Sequence, residues 1–170
     1  MTILERKFTA QEVAEAAGIQ SRSVADWATR GLIVGHGPGS TGRGKPREFT
    51  FEQAMQIALA AHLMEAGIKS PKIAFHIAMR FAHSGDDSRN PGMPFHHNRG
   101  ETWLIVSGDH SRIVLADEHG MIAPERAFPQ SLRAFAYITL NLSGLFDRVC
   151  AALGAHPNEV LDAAYPEDAR

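Results

Sequence analysis

The 170-residue sequence holds a single cysteine, Cys150. A lone thiol excludes an internal disulfide framework and fits a reducing cytoplasm. No apolar run is long enough to cross a bilayer, and the segment after Met1 lacks the apolar core of a secretory signal. A cytoplasmic protein outside the membrane is therefore expected. Catalytic fingerprints are missing as well. The chain has no nucleophile elbow, no dinucleotide-binding glycine pattern and no metalloprotease motif. Gly44-Lys45 is followed by Pro46 rather than Ser or Thr, so the glycines of 35–44 do not make a P-loop. His96, His97, Glu101, Asp109 and His110 gather near one predicted hairpin and supply acid–base groups. Without a supporting motif no catalytic residue is assigned, and an enzyme carrying an appended helix-turn-helix ranks third among the readings.

A large excess of charge is also absent. The net charge is −2, but it is unevenly distributed. Residues 1–83 carry ten Lys or Arg against seven Asp or Glu, whereas residues 84–170 carry seven against twelve. The basic part suits a polyanion and the acidic part should avoid one.

The informative residues are concentrated between Phe8 and Arg47. Thr9 and Glu12 have capping-box spacing, and Val13, Ala16 and Ala17 follow on one small apolar face. Gly18 ends that helix. Ile19 is placed to fill the gap before a second helix, N-capped by Ser21 and running to about Thr29. Val24, Trp27 and Ala28 form its inward stripe, with Arg22, Ser23, Ala25, Asp26 and Thr29 outward; Gly31 stops it. Two short helices around a tight turn make a helix-turn-helix, whose second helix reads base edges. A loop with glycines at 35, 37, 39, 42 and 44 and cations at Arg43, Lys45 and Arg47 comes next, and Glu48 to Thr50 can pair as a strand. That loop has no apolar anchor at its tip, so its cations suit phosphates. An ordinary helical hairpin with solvated charges is the plain alternative.

Past the loop, Thr50 and Gln53 form a second capping box for a helix reaching about Ala66. Ser70-Pro71 opens another, with Ile73, Ala74, Ile77, Ala78 and Phe81 at helical spacing. His62 and His76 read as partly exposed polar residues.

The runs SRSVADWATRGLI and KPREFTFEQAMQIALAAHLMEAGIKSPKIAFHIA resemble the DNA-binding domain of the MerR family over about residues 8–82. The matching positions are Arg30, Gly31 and Leu32, then Arg47 and Phe49 in the wing, then Gly67 and Ile68. The resemblance implies a winged helix-turn-helix that binds double-stranded DNA and regulates transcription. Asp26 and Trp27 stand where the family pairs aromatics, the wing is longer, and no long coiled-coil helix comes after the domain. Excisionases share much of this fold, so an architectural recombination factor stays open as the alternative. On this basis Ser21, Arg22, Ser23, Asp26, Arg30, Arg43, Lys45 and Arg47 are the expected DNA-binding residues.

Ser84 to Gly100, rich in Gly, Pro, Asp and Asn, reads as a linker between domains at 1–83 and 101–170. The second domain is expected to be a small α+β unit, so that the chain is mainly α with a small α+β part. Its elements are strands at Thr102–Ser107 and Arg112–Ala116 around Gly108-Asp109, a third strand within Leu132–Leu140, and a helix from Leu142 closed by Gly154. Leu142, Leu145, Phe146, Val149 and Leu153 form an apolar stripe with two readings, internal core or dimer seam. A sheet this small has little apolar area of its own, so a homodimer through this stripe is expected. His96, His97, His110 and His119 match no compact zinc spacing and read as solvent-exposed loop residues. Neither a metal nor another cofactor is expected, and an effector, small molecule or protein, stays open.

Overall fold

A computed structural model describes residues 2–38, 46–86, 88–129 and 136–168. The chain opens with strand β1 (Phe8–Thr9), α1 (Ala10–Ala17) and α2 (Ser21–Thr29). Strand β2 (Glu48–Phe49) then pairs antiparallel with β1, Phe8 opposite Phe49. Both rings are fully buried, so this two-residue ladder ties the far side of the wing to the start of α1. Helices α3 (Phe51–Glu65) and α4 (Pro71–His83) come next.

The local signals for these helices are as the sequence implies. Thr9 Oγ1 accepts from the Glu12 N–H while Glu12 accepts from the Thr9 N–H. Thr50 and Gln53 repeat the arrangement on α3. Ser70 caps α4 from just before Pro71. The start of α2 differs from expectation. Gln20 is its N-cap, with no side-chain bond, and Ser21 is already the first helical residue.

α3 is the central helix. Alanines at 54, 58 and 60 let neighbours approach, and Met55, Ile57, Leu59 and Leu63 are fully buried around them. It packs on α4, on α1 and on α5 (Leu142–Ala152).

The sheet of the second half has the order β4-β3-β5, all antiparallel. β3 is Thr102–Ser107, β4 His110–Leu115 and β5 Ile138–Asn141. Gly108, at φ +64°, opens the two-residue turn between β3 and β4. The third strand thus starts at Ile138, later than expected, and residues 132–135 of the expected span lie outside the described residues. A last helix, α6 (Pro157–Ala164), was not foreseen. Its eight residues bury only Val160 and Leu161, too few to make a clear periodic stripe.

The α5 stripe takes the core reading, not the seam. Leu142, Leu145, Phe146, Val149 and Leu153 are buried within the protomer. Phe146 meets the edge of Phe51 on α3 with ring centroids 5.8 Å apart, and α5 also packs on α1. The apolar area that the small sheet lacks is supplied by the helix-turn-helix, so one core runs from Phe8 to Leu161.

Residues 84–100 are packed in the same way. The buried Arg89 guanidinium lies over the Phe81 ring and donates to the main-chain oxygens of Phe81, Asn90 and Met93 at 3.0–3.2 Å, and to that of Ser84. Tyr165, just after α6, accepts from the Asn90 N–H at 2.8 Å and donates to Pro94 O at 2.9 Å. The division near residue 83 is one of sequence character, and the packing crosses it.

Candidate nucleic-acid interface

The outer face of α2 is open. Arg22, Ala25, Asp26 and Thr29 are exposed, Ser21 and Ser23 are half-buried, and Arg30 is exposed at the C-cap. The inner face explains why the helix lies this way. Val24 and Ala28 are fully buried, and Trp27 meets the edge of Phe75 on α4 at 5.1 Å. Gly31, at φ +69°, lets the chain reverse, so that the Leu32 N–H returns to Trp27 O at 3.0 Å. Asp26 pairs with Arg30 at 3.4 Å across one exposed turn, a weak contact that leaves both groups free to meet a ligand.

Both ends of the wing are pinned. At its near end, two glutamines of α3 hold the backbone. Gln53 Nε2 donates to Val34 O at 2.7 Å, while its Oε1 completes the α3 capping box. Buried Gln56 accepts from the Val34 N–H at 3.1 Å and donates to Leu32 O at 3.3 Å, and His83 Nε2 adds a 3.1 Å bond to the same Gln56 oxygen. Gly35 has φ +78°, and a Cβ there would press to 3.3 Å from Gln53 Nε2. His36 stacks on Phe49 at 4.6 Å with Nδ1 buried and unpartnered. Burial pushes the His36 imidazole below its ordinary value, against the raising effect of the Gln53 side chain, which accepts from the ring. Burial lowers His83 likewise.

At the far end stands Arg47. One guanidinium nitrogen donates to Ala25 O at 3.0 Å and to Thr29 Oγ1 at 2.8 Å. Arg47 therefore braces the last turns of α2 rather than pairing with Glu48 or Glu52. Arg43 and Lys45, the other two expected wing cations, lie outside the described residues. Gln53, Gln56 and His83 were not foreseen as site residues. Their only signal was polar residues inside otherwise apolar helices.

This geometry is a helix with an open polar face, held on one side by the core and at its C-terminal end by Arg47. Residues 8–77 match the family model described as MerR HTH family regulatory protein. Residues 8–77 are a MerR HTH domain. The match covers α1, α2, α3 and the first half of α4, and it ends before the three-stranded sheet. Neither a curated protein nor a solved structure matches the chain. A MerR HTH domain is a DNA-binding unit of the kind found in transcription regulators, and here it spans the N-terminal part of the chain. Among the described residues no helix is long and apolar enough to cross a membrane.

Outside the MerR HTH domain, the lone cysteine and the histidines take definite places. Cys150 is fully buried, and burial pushes its thiol up to about 12, so it is an inert core residue. The histidines are not all loop residues in solvent. His110 and His119 are exposed, but His96 is wholly buried, with Nε2 2.9 Å from Asp162 Oδ1 on α6. Its neighbour His97 brings Nδ1 to 3.8 Å from the same oxygen. The sequence separates these partners by 66 residues, and the docking of α6 unites them.

Proposed function

We propose that the protein is a sequence-specific transcriptional regulator that reads the major groove with the outer face of α2. Arg22 and Ser23 sit toward the N-terminal end of that helix, the end that enters the groove in most helix-turn-helix complexes. Ser21, Asp26 and Arg30 complete the reading face, and Arg43 and Lys45 supply the phosphate contacts of the wing. Arg47 serves the interface by holding α2. The observation that carries this is the exposed polar face of α2, fixed at its C-terminal end by Arg47. Such a protein works as a regulator rather than a catalyst, in the cytoplasm where the chromosome lies.

Binding as a homodimer belongs to the same proposal. Because the α5 stripe is used inside the protomer, the dimer contact has to lie elsewhere on the surface. An effector, if one acts, reaches the DNA through the shared core of α3, α4 and α5.

Selection of preferred duplexes from a random pool tests this. The wild-type chain should enrich one motif, and Arg22→Ala should broaden it, since an arginine–guanine contact carries about 1–3 kcal/mol of discrimination. Enrichment of no motif by the wild type, or of the same motif to the same degree by the variant, would remove α2 from base reading. Clustered direct repeats in place of an inverted repeat would favour the excisionase-like alternative.

A further inference from the structure

We propose that His96, His97 and Asp162 form a binding site for a divalent transition metal of the zinc class, clamping the segment after α4 to α6. One donor atom from each residue lies within 4.8 Å of the others. His96 Nε2 and Asp162 Oδ1 are 2.9 Å apart, and His97 Nδ1 and Asp162 Oδ1 are 3.8 Å apart. Donors around a tetrahedral zinc ion stand about 3.4 Å from one another, so these two spacings bracket the need. Two imidazoles and a carboxylate suit zinc, cobalt or nickel rather than magnesium or calcium, which favour all-oxygen shells.

The site is half built into the core. The His96 ring is fully buried, lies 4.1 Å from the His97 ring at a tilt of 34° and meets the edge of Tyr165 at 6.1 Å. Asp162 is about half exposed, so it can shift by the few tenths of an ångström that coordination asks, and solvent can complete the shell. In the metal-free protein His96 Nδ1 accepts from the Asn98 N–H at 3.3 Å, so Nε2 carries the ring proton and donates it to Asp162. A metal takes the place of that proton. The ring proton then sits on Nδ1, and the exposed Asn98 N–H turns to water. Loading exchanges two hydrogen bonds, Asn98 N–H to His96 Nδ1 and His96 Nε2–H to Asp162, for bonds from the metal to His96 Nε2, His97 Nδ1 and Asp162 Oδ1.

The clamp joins two parts that hold the core together. His96 comes after the Arg89-organised segment, and Asp162 lies on the α6 helix, whose end is bound by Asn90 through Ala164 O at 2.8 Å. Metal there should therefore stiffen the segment around His96 and His97 against α6.

The test is titration of the untagged, metal-free full chain with Zn²⁺ in competition with a chromophoric chelator, and with Co²⁺ followed by visible absorption. The expected result is one saturable equivalent, a tetrahedral cobalt spectrum and a Tm raised by Zn²⁺. His96→Ala risks unfolding, so the informative variants are the surface ones, His97→Ala and Asp162→Asn. The asparagine keeps an oxygen to accept from His96. Each should stay folded by circular dichroism and bind more than about tenfold more weakly, since even residues that only orient a metal's ligands are worth that much. In the wild type, Zn²⁺ should also speed hydrogen exchange at the Asn98 amide. Failure of the wild-type chain to bind a stoichiometric equivalent, or binding by both variants as tight as wild type, overturns the site.

Discussion

The Arg47 guanidinium sits where a phosphate-binding cation is expected, yet it donates to Ala25 O and Thr29 Oγ1 of α2. Its loss should loosen the recognition helix without removing a phosphate contact. Arg47→Ala should weaken binding to every DNA sequence by on the order of 1 kcal/mol, the usual worth of such hydrogen bonds. The slope of log affinity against log salt should stay as in the wild type. A fall of about one unit in that slope would mean that Arg47 touches phosphate. The histidines at the base of the wing give a second prediction. Burial lowers both His36 and His83 from the ordinary 6.5. In each, the unfolded chain takes up its proton at a higher pH than the folded one. Their contribution to stability is therefore complete above about pH 6.5 and declines as pH falls through and below it. Thermal melts from pH 7.5 to 5 should show a falling Tm, with a smaller fall in His36→Phe, which keeps the stack on Phe49. An equal fall in the variant would release His36 from this role.

At the scale of elements, the sequence was clearest where a few adjacent residues settle the structure. Thr9-Glu12, Thr50-Gln53 and Ser70-Pro71 mark helix starts through bonds made within one turn. Gly108-Asp109 fixes its hairpin in the same local way. Features that depend on distant partners were hidden. Gln53 and Gln56 become wing anchors only because Leu32 to Val34 folds back over α3. Arg89 looks like a linker charge until four carbonyls surround it. The α5 stripe was legible as apolar, but its partner was not, since a stripe looks the same whether it meets a second copy or its own chain. The structure gives it α1 and α3. Phe146→Glu should accordingly unfold the protein, because a buried unpaired charge costs several kcal/mol. Sedimentation together with circular dichroism should show loss of helix. A folded monomer with native helix content would instead return the stripe to an interface.

For the whole molecule, the consequence is that the MerR HTH domain is completed by the C-terminal half of the chain. The domain ends at residue 77, yet its α1 and α3 are covered by α5, and its α4 is tied through Arg89 and Tyr165 to α6. The C-terminal half therefore reaches α2 through α1, on which both α5 and α2 pack. The central claim is that the exposed face of α2 meets DNA. Backbone amide chemical shifts of the full chain, recorded as its selected duplex is added, test it most directly. The largest changes should fall on residues 21–30 and on 46–49 at the wing base, with 138–164 nearly still. Changes gathered on β3, β4 and α6 while 21–30 stay unmoved would contradict it.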